Sequence, residues 1–410
     1  MKIFAQHGHN PDDKITEGLK NQVIDGVIFG AKDISCERLQ DDLSHIAKTY
    51  TKSQCFFDPH YYATFIAKEP GARLGKLGKL ENKNYSYFRA HMRRELEQVE
   101  NIKNDIRSCL EFQASLPFAA FISPNIVIKR SFDSIEGVIS KNFIRNTAKL
   151  AENVKAGLPV YATLAVSENV LKDKRELTEF LQEITEMENP PDGFYLLLEK
   201  QETTPPPCLV ERDVLARWMF LNYVLKINGF NVINGYTDLL APYIAATGAD
   251  AVGTGWYGTL KNFSLQKFLP SDSKARQPLP RYTSVRLLKS IRQTELETFY
   301  EVHPGIVNNL PGDAFYNFQD DHPTPTEEAL QNWEALRAMI IHCTRNRDRV
   351  EDALHGCRLA LNEATELYAE ISDSPFTLRD RSNNEHIAAI REELDEFAKL
   401  AELQTGRDDF

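Results

Sequence analysis

The chain has 410 residues, 42% of them hydrophobic, enough to bury the core of one large or two ordinary domains. A formal net charge of −11 excludes a global affinity for nucleic acid or anionic membrane, while leaving room for a local basic patch. No apolar run approaches the roughly 18 residues of a membrane helix. The six cysteines form no Cys-x-x-Cys pair, and the amino terminus enters a strand with no signal peptide, so a cytoplasmic setting without disulfides or structural zinc is expected.

Lys2–Gln6 reads as a short apolar strand ending at His7-Gly8-His9-Asn10, and a helix follows over Pro11–Asn21. Val23–Gly30 is continuous enough to be a strand buried on both faces. Ser35 caps a helix with Leu39, Leu43 and Ile46 on its apolar face, and Gln54–Phe57 is the third strand, ending in Asp58-Pro59-His60-Tyr61-Tyr62. The rhythm then breaks into a glycine- and lysine-rich excursion, with a helix from about Phe88 to Glu111. Strands at Phe118–Ile122, Val160–Val166 and Gly193–Leu198 alternate with helices at Phe143–Ala156, Lys174–Glu188 and Val214–Ile227. Asn231–Asn234, a compact helix over about 238–247 and a strand at Ala249–Gly253 complete a βαβ unit.

Eight strands alternating with helices within residues 1–265 predict a (β/α)8 barrel with a basic insertion at about 63–111. The competing open doubly wound sheet would place a Gly-x-Gly-x-x-Gly turn after its first strand, and none is present. Residues 266–323 read as an irregular, proline-rich connector. Thr324-Pro325-Thr326-Glu327 starts a helical extension over 324–410, whose first helix carries Leu330, Trp333, Leu336 and Ile340 as an apolar stripe. That stripe must pack on the barrel or on a partner protein.

In a barrel the carboxyl ends of all strands share one mouth. They would bring together Asp58, Glu199 and His60 as catalytic candidates, Asp58 and Glu199 being carboxylates past buried strands, where desolvation raises a carboxyl pKa. His7, His9, Tyr61, Tyr236, Trp256 and Tyr257 are the substrate-binding candidates, the aromatic ones suiting a flat ring. His7-Gly8-His9 looks like the opening of the amidohydrolase family. The later strand ends, Ser167-Glu168, Glu199-Lys200 and Gly253-Thr254-Gly255, lack the histidines and aspartate of that pattern, so no metal is assigned. The remaining histidines, His91 among them, read as lying off the strand ends. No cofactor is named by any motif.

Between Lys68 and Arg94 eight basic residues face only Glu69 and Glu81, with Tyr85, Tyr87 and Phe88 interleaved. Lys76, Lys79, Arg89, Arg93 and Arg94 are therefore candidates for phosphate contact, with Gly253 and Gly255 as a possible backbone cradle. The same segment also reads as a solvated loop, or as a lid over a small anion.

Asp58 after the third strand, then Gly235-Tyr236-Thr237-Asp238-Leu239-Leu240 and Thr247-Gly248-Ala249-Asp250, resembles the order of elements in tRNA-guanine transglycosylases. The resemblance covers only the barrel, and Asp58-Pro59-His60-Tyr61 stands where that family has Asp-Ser-Gly-Gly. It implies a (β/α)8 fold and a nucleotide-like or nucleic-acid ligand for glycosyl or ribosyl transfer. The expectation is thus an enzyme using carboxylate acid–base chemistry; the alternative is a non-catalytic barrel subunit that engages partners through its helical extension.

Overall fold

The computed structural model describes all residues except 10, 66–84, 86, 89–90, 201–211, 270–278, 317–322, 345–348, 375–377, 380–381 and 404–410. The main sheet contains β1 (Lys2–Gln6), β2 (Gly26–Gly30), β3 (Gln54–Asp58), β4 (Phe121–Ile122), β5 (Val127–Ile128), β6 (Val160–Ser167), β7 (Gly193–Glu199), β8 (Asn231–Asn234) and β9 (Ala251–Thr254). It runs β3-β2-β1-β9-β8-β7-β6-β4, with β5 also paired to β6, and every pairing is parallel. Since β4 and β5 share one position, the result is a nearly closed eight-stranded parallel barrel. Its seam lies between β3 and β4, where the Ala119 amide donates to the Cys55 carbonyl at 2.9 Å.

Helices α1 (Lys14–Lys20), α2 (Cys36–Thr49), α3 (Val99–Ala114), α4 (Ile135–Val154), α5 (Lys174–Thr185), α6 (Val214–Ile227) and α7 (Ala241–Ala246) provide the crossovers. On α2 the buried Leu39, Leu43 and Ile46 recur at helical spacing, as an amphipathic helix on a sheet requires. Inside the barrel Phe4, Phe56 and Tyr161 meet edge to face, with ring centroids 5.1 and 6.0 Å apart. Side chains alternate along a strand, so Gln6 and Asp58 continue the same inward faces two residues nearer the mouth.

Three expectations change. The helix expected from Phe88 is a short 3₁₀ turn, Arg93–Glu97, followed by α3, because Gln98 is extended between them. The fourth strand is split into β4 and β5 around Pro124, which has no amide hydrogen for the ladder. The connector is only partly irregular: after the four-residue α8 (Gly258–Lys261) it holds an antiparallel hairpin, β10 (Arg281–Ser284) with β11 (Lys289–Arg292), then α9 (Gln293–Phe299).

The extension forms α10 (Pro325–Thr344), α11 (Val350–Ser372) and α12 (Glu385–Leu400). It packs on the barrel: α10 against α1 and α7, α12 against α6. Leu330, Trp333, Leu336 and Ile340 are all buried there, and Trp333 Nε1 donates to Thr254 O at 3.4 Å. Glu393 on α12 accepts the amides of Asp213 and Ala216 at 2.6 and 2.8 Å, placing a carboxylate on the orphan N–H groups at the start of α6. No helix among the described residues is long and apolar enough to cross a membrane.

Candidate active site at the carboxyl end of the barrel

Asp58 closes β3 and is completely buried. Its Oδ1 accepts the His60 amide at 3.0 Å; its Oδ2 accepts the hydroxyls of Tyr62 at 2.8 Å and Tyr195 at 3.1 Å. Burial raises its pKa, and these donors oppose the shift. His60 stands beside it, with Nδ1 accepting the Lys32 amide at 3.1 Å and Nε2 lying 3.7 Å from Asp58 Oδ2 and 3.5 Å from the Tyr236 hydroxyl. Burial holds this imidazole well below its ordinary pKa, so it is neutral. Gly30 makes the seat possible, since a Cβ there would lie 2.6 Å from His60 Cε1.

Across the mouth runs the segment Phe263–Phe268, joined to β7 by the Lys200 amide on the Phe263 carbonyl at 2.8 Å. Phe263 and Phe268 pack edge to face on Tyr62. From this segment Lys267 descends, with Nζ 3.8 Å from the centre of the Tyr236 ring and no hydrogen-bond acceptor among the described residues. Burial first, then repulsion from Lys32, lowers its pKa to about 7, while Asp33 and Asp58 pull the other way. His60, Tyr236 and Asp238 all have positive φ, at 52°, 59° and 42°. Left-handed backbone at non-glycine residues costs on the order of 1 kcal/mol or more each and clusters at working sites.

Beside this plug, at the seam of the barrel, opens a cavity of about 460 Å³. Tyr62 and Phe65 line it from the chain leaving β3, Ile126, Val127 and Lys129 from around β5, and His91, Arg93, Arg94 and Glu97 from the returning excursion. Arg93 pairs with Glu136 at 3.2 Å. Leu265 completes the lining, and its amide bonds to the carboxylate of Glu199 at the end of β7. Burial raises the pKa of Glu199; Lys129, the Leu265 amide and the Ser167 hydroxyl counteract. Asp58 and Glu199 thus lie at the same end of the barrel.

Other candidates fall elsewhere. His7 is buried against Phe29 and Trp256, and burial lowers its pKa to about 4; His9 is exposed, its amide donating to the Tyr257 hydroxyl at 3.1 Å. Trp256 and Tyr257 pack together, and Trp256 meets Trp333 of α10. Tyr61 is fully buried and donates to Asp105 at 2.6 Å. These rings therefore do not form one aromatic wall with Tyr236. Gly255 is a packing glycine, since a Cβ would lie 2.3 Å from Leu260 Cβ, and its amide already donates to the Leu260 carbonyl. A Cβ at Gly253 would lie 3.0 Å from Gln6 Oε1. Lys76, Lys79 and Arg89 lie outside the described residues. Tyr85, Tyr87 and Phe88 are core anchors: Tyr85 stacks on Phe57 at 5.7 Å, and all three are buried. No group of three or more His, Cys, Asp or Glu side chains among the described residues is placed to hold a metal ion.

Sequence reading missed Lys267, Tyr195, Lys129 and the pair His91–Asp105. Tyr195 was findable, because it lies on the same strand face as Glu199 four residues earlier. Lys267 sits in the supposed connector, and His91 reaches the mouth only through the path of the excursion. No protein-family model matches the chain, and no curated protein shows significant similarity to it.

Proposed function

We propose that the chain is an enzyme working at the carboxyl end of the barrel on a phosphate-bearing, nucleotide-like substrate. Glu199 supplies the acid–base carboxyl, and Asp58 fixes the tyrosine hydroxyls around it. The observation that carries this reading is the 460 Å³ cavity, where Arg93, Arg94 and Lys129 stand beside the Tyr62 ring, whose hydroxyl is held by Asp58. Arginine and lysine neutralise phosphate, and Phe65, only partly buried, offers apolar surface against which a base packs. The volume suits one nucleotide unit, within the usual range of about 300–1,000 Å³ for small-molecule sites. A carboxyl whose pKa is raised by burial is the better proton donor to a leaving group, which glycosyl or ribosyl transfer and hydrolysis both require. The transglycosylase resemblance supports the same ligand class.

Calorimetric titration at low salt with mononucleotides and short oligonucleotides tests the reading. Mononucleotides should bind, and Arg94→Glu should weaken them at least tenfold. No binding of any nucleotide would sink it. The aromatic plug over the barrel axis favours a second reading, a non-catalytic barrel that only binds. Ligand binding without turnover of any nucleotide would point there.

A further inference from the structure

A second, smaller opening lies at the same end of the barrel. It is a cleft of about 40 Å³ at the carboxyl ends of β7 and β8, and it shares no lining residue with the 460 Å³ cavity. Leu198, Trp218, Leu239, Leu240 and Ile244 form its apolar walls, and all five are buried. Lys200, Thr237 and Asp238 stand among its polar residues. Lys200 follows β7 directly, and its amide donates to the Phe263 carbonyl at 2.8 Å, which fixes the backbone there. The residue is only 8% exposed, yet its side-chain amine meets no carboxylate and no hydrogen-bond acceptor among the described residues. It differs in one respect from Lys267, whose unpartnered Nζ is sealed from solvent. Lys200 Nζ is not sealed, so it opens on space that water can enter, and for a residue this buried that space is the cleft it lines.

The neighbouring polar groups are already matched. Thr237 Oγ1 donates to the Gly253 carbonyl at 3.4 Å, and Asp238 Oδ1 lies 3.5 Å from Lys261 Nζ. Lys200 is therefore the charge of this wall without a counter-charge among the described residues. A lysine head has three donors, and burying it beside nothing that accepts them is costly, so a ligand of opposite sign relieves the cost. The walls around it are aliphatic and aromatic. A tetrahedral oxyanion would leave most of its oxygens without donors there, whereas a carboxylate carries only two and brings an alkyl chain for the apolar side. Holding one water takes roughly 10–15 Å³, so the cleft admits about three or four non-hydrogen atoms, a carboxyl group and the first carbons of a chain.

We propose that this cleft binds a short-chain aliphatic carboxylate, with Lys200 pairing to the carboxyl group and Trp218, Leu240 and Ile244 taking the chain. The site stands independently of the nucleotide reading. Tyr236 lines the same cleft; its ring carries Lys267 Nζ at 3.8 Å, and its hydroxyl stands 3.5 Å from His60 Nε2. A bound carboxylate therefore rests against the side chain that joins the cleft to the polar cluster on the barrel axis.

Saturation-transfer NMR on the intact protein tests this, with sodium propionate as the probe against matched sodium chloride. Propionate should bind the native protein, and Lys200→Met, which keeps the length of the stem, should weaken it at least tenfold. Propionamide has the same shape without the charge and should bind the native protein at least tenfold more weakly than propionate, a comparison that needs no variant. Affinity should rise roughly two- to fourfold per methylene from acetate to butyrate, as the chain enters the apolar walls. Propionate that fails to bind, or that binds the native protein and Lys200→Met equally, overturns the inference. Propionamide binding as tightly as propionate overturns it too, and inorganic phosphate displacing propionate at equal concentration overturns the carboxylate assignment.

Discussion

Replacing Lys267 by methionine isolates the most unusual charge in the mouth. The folded protein holds this amine neutral above about pH 7, whereas the unfolded chain keeps it protonated to about 10.5. The unfolded state binds more protons between those values, so stability rises with pH across that window; below about 7 both states are protonated and the burial penalty is fully present. At 1.36 kcal/mol per pH unit the interval corresponds to roughly 5 kcal/mol, partly offset by up to about 2 kcal/mol of attraction between the charged amine and the Tyr236 face. Methionine keeps the length and apolar packing of the stem and removes the titration. Denaturation midpoints of both proteins from pH 6 to 9 should show the variant more stable at pH 6, by several kcal/mol. The difference should shrink by roughly 3 kcal/mol between pH 7 and 9. Parallel profiles, or a variant less stable at pH 6, would refute the assignment of a buried, partnerless amine.

Asp58→Asn puts an amide donor where the Tyr62 and Tyr195 hydroxyls now donate; it should cost about 1–3 kcal/mol by calorimetry and push the Lys267 pKa lower still. Glu393→Gln weakens the carboxylate cap on α6 and should lower stability by on the order of 1 kcal/mol in chemical denaturation; burial raises the native carboxyl's pKa, so the native protein gains stability as pH falls through that range and the variant's deficit should widen. Ending the chain after residue 323 strips the cover from α1 and α7 and should give an aggregating product; a monodisperse, fully folded barrel by light scattering would contradict the packing described.

The barrel was legible because its signal is repetitive. Parallel strands buried on both faces appear as short continuous apolar runs, and Gly193–Leu198 or Asn231–Asn234 could hardly be read otherwise. Asp58, His60 and Glu199 were legible for a related reason, since position at a strand end fixes which mouth they reach. The cavity was not. It arises where the β3–β4 ladder fails and residues from four separate stretches meet, an outcome of closure geometry that no local pattern encodes. Tyr85, Tyr87 and Phe88 show the opposite error. Interleaved with lysines and arginines they read as part of the phosphate-contacting segment, but a long excursion from a barrel needs apolar anchors: Tyr85 and Tyr87 pack on Phe57 and Phe112, and Phe88 packs on Tyr87.

The central claim is that chemistry takes place at this mouth, and Glu199→Gln measures it most directly. The substitution removes an acid proton while sparing the fold, because a neutral amide avoids the burial penalty that raises the native pKa. Mononucleotides that bind the native protein would be incubated with both forms, and products followed by mass spectrometry. The account predicts turnover by the native chain and a loss of at least roughly a hundredfold in the variant, with binding kept within about threefold. Equal turnover by the two proteins, or tight binding with no product from either, would contradict it.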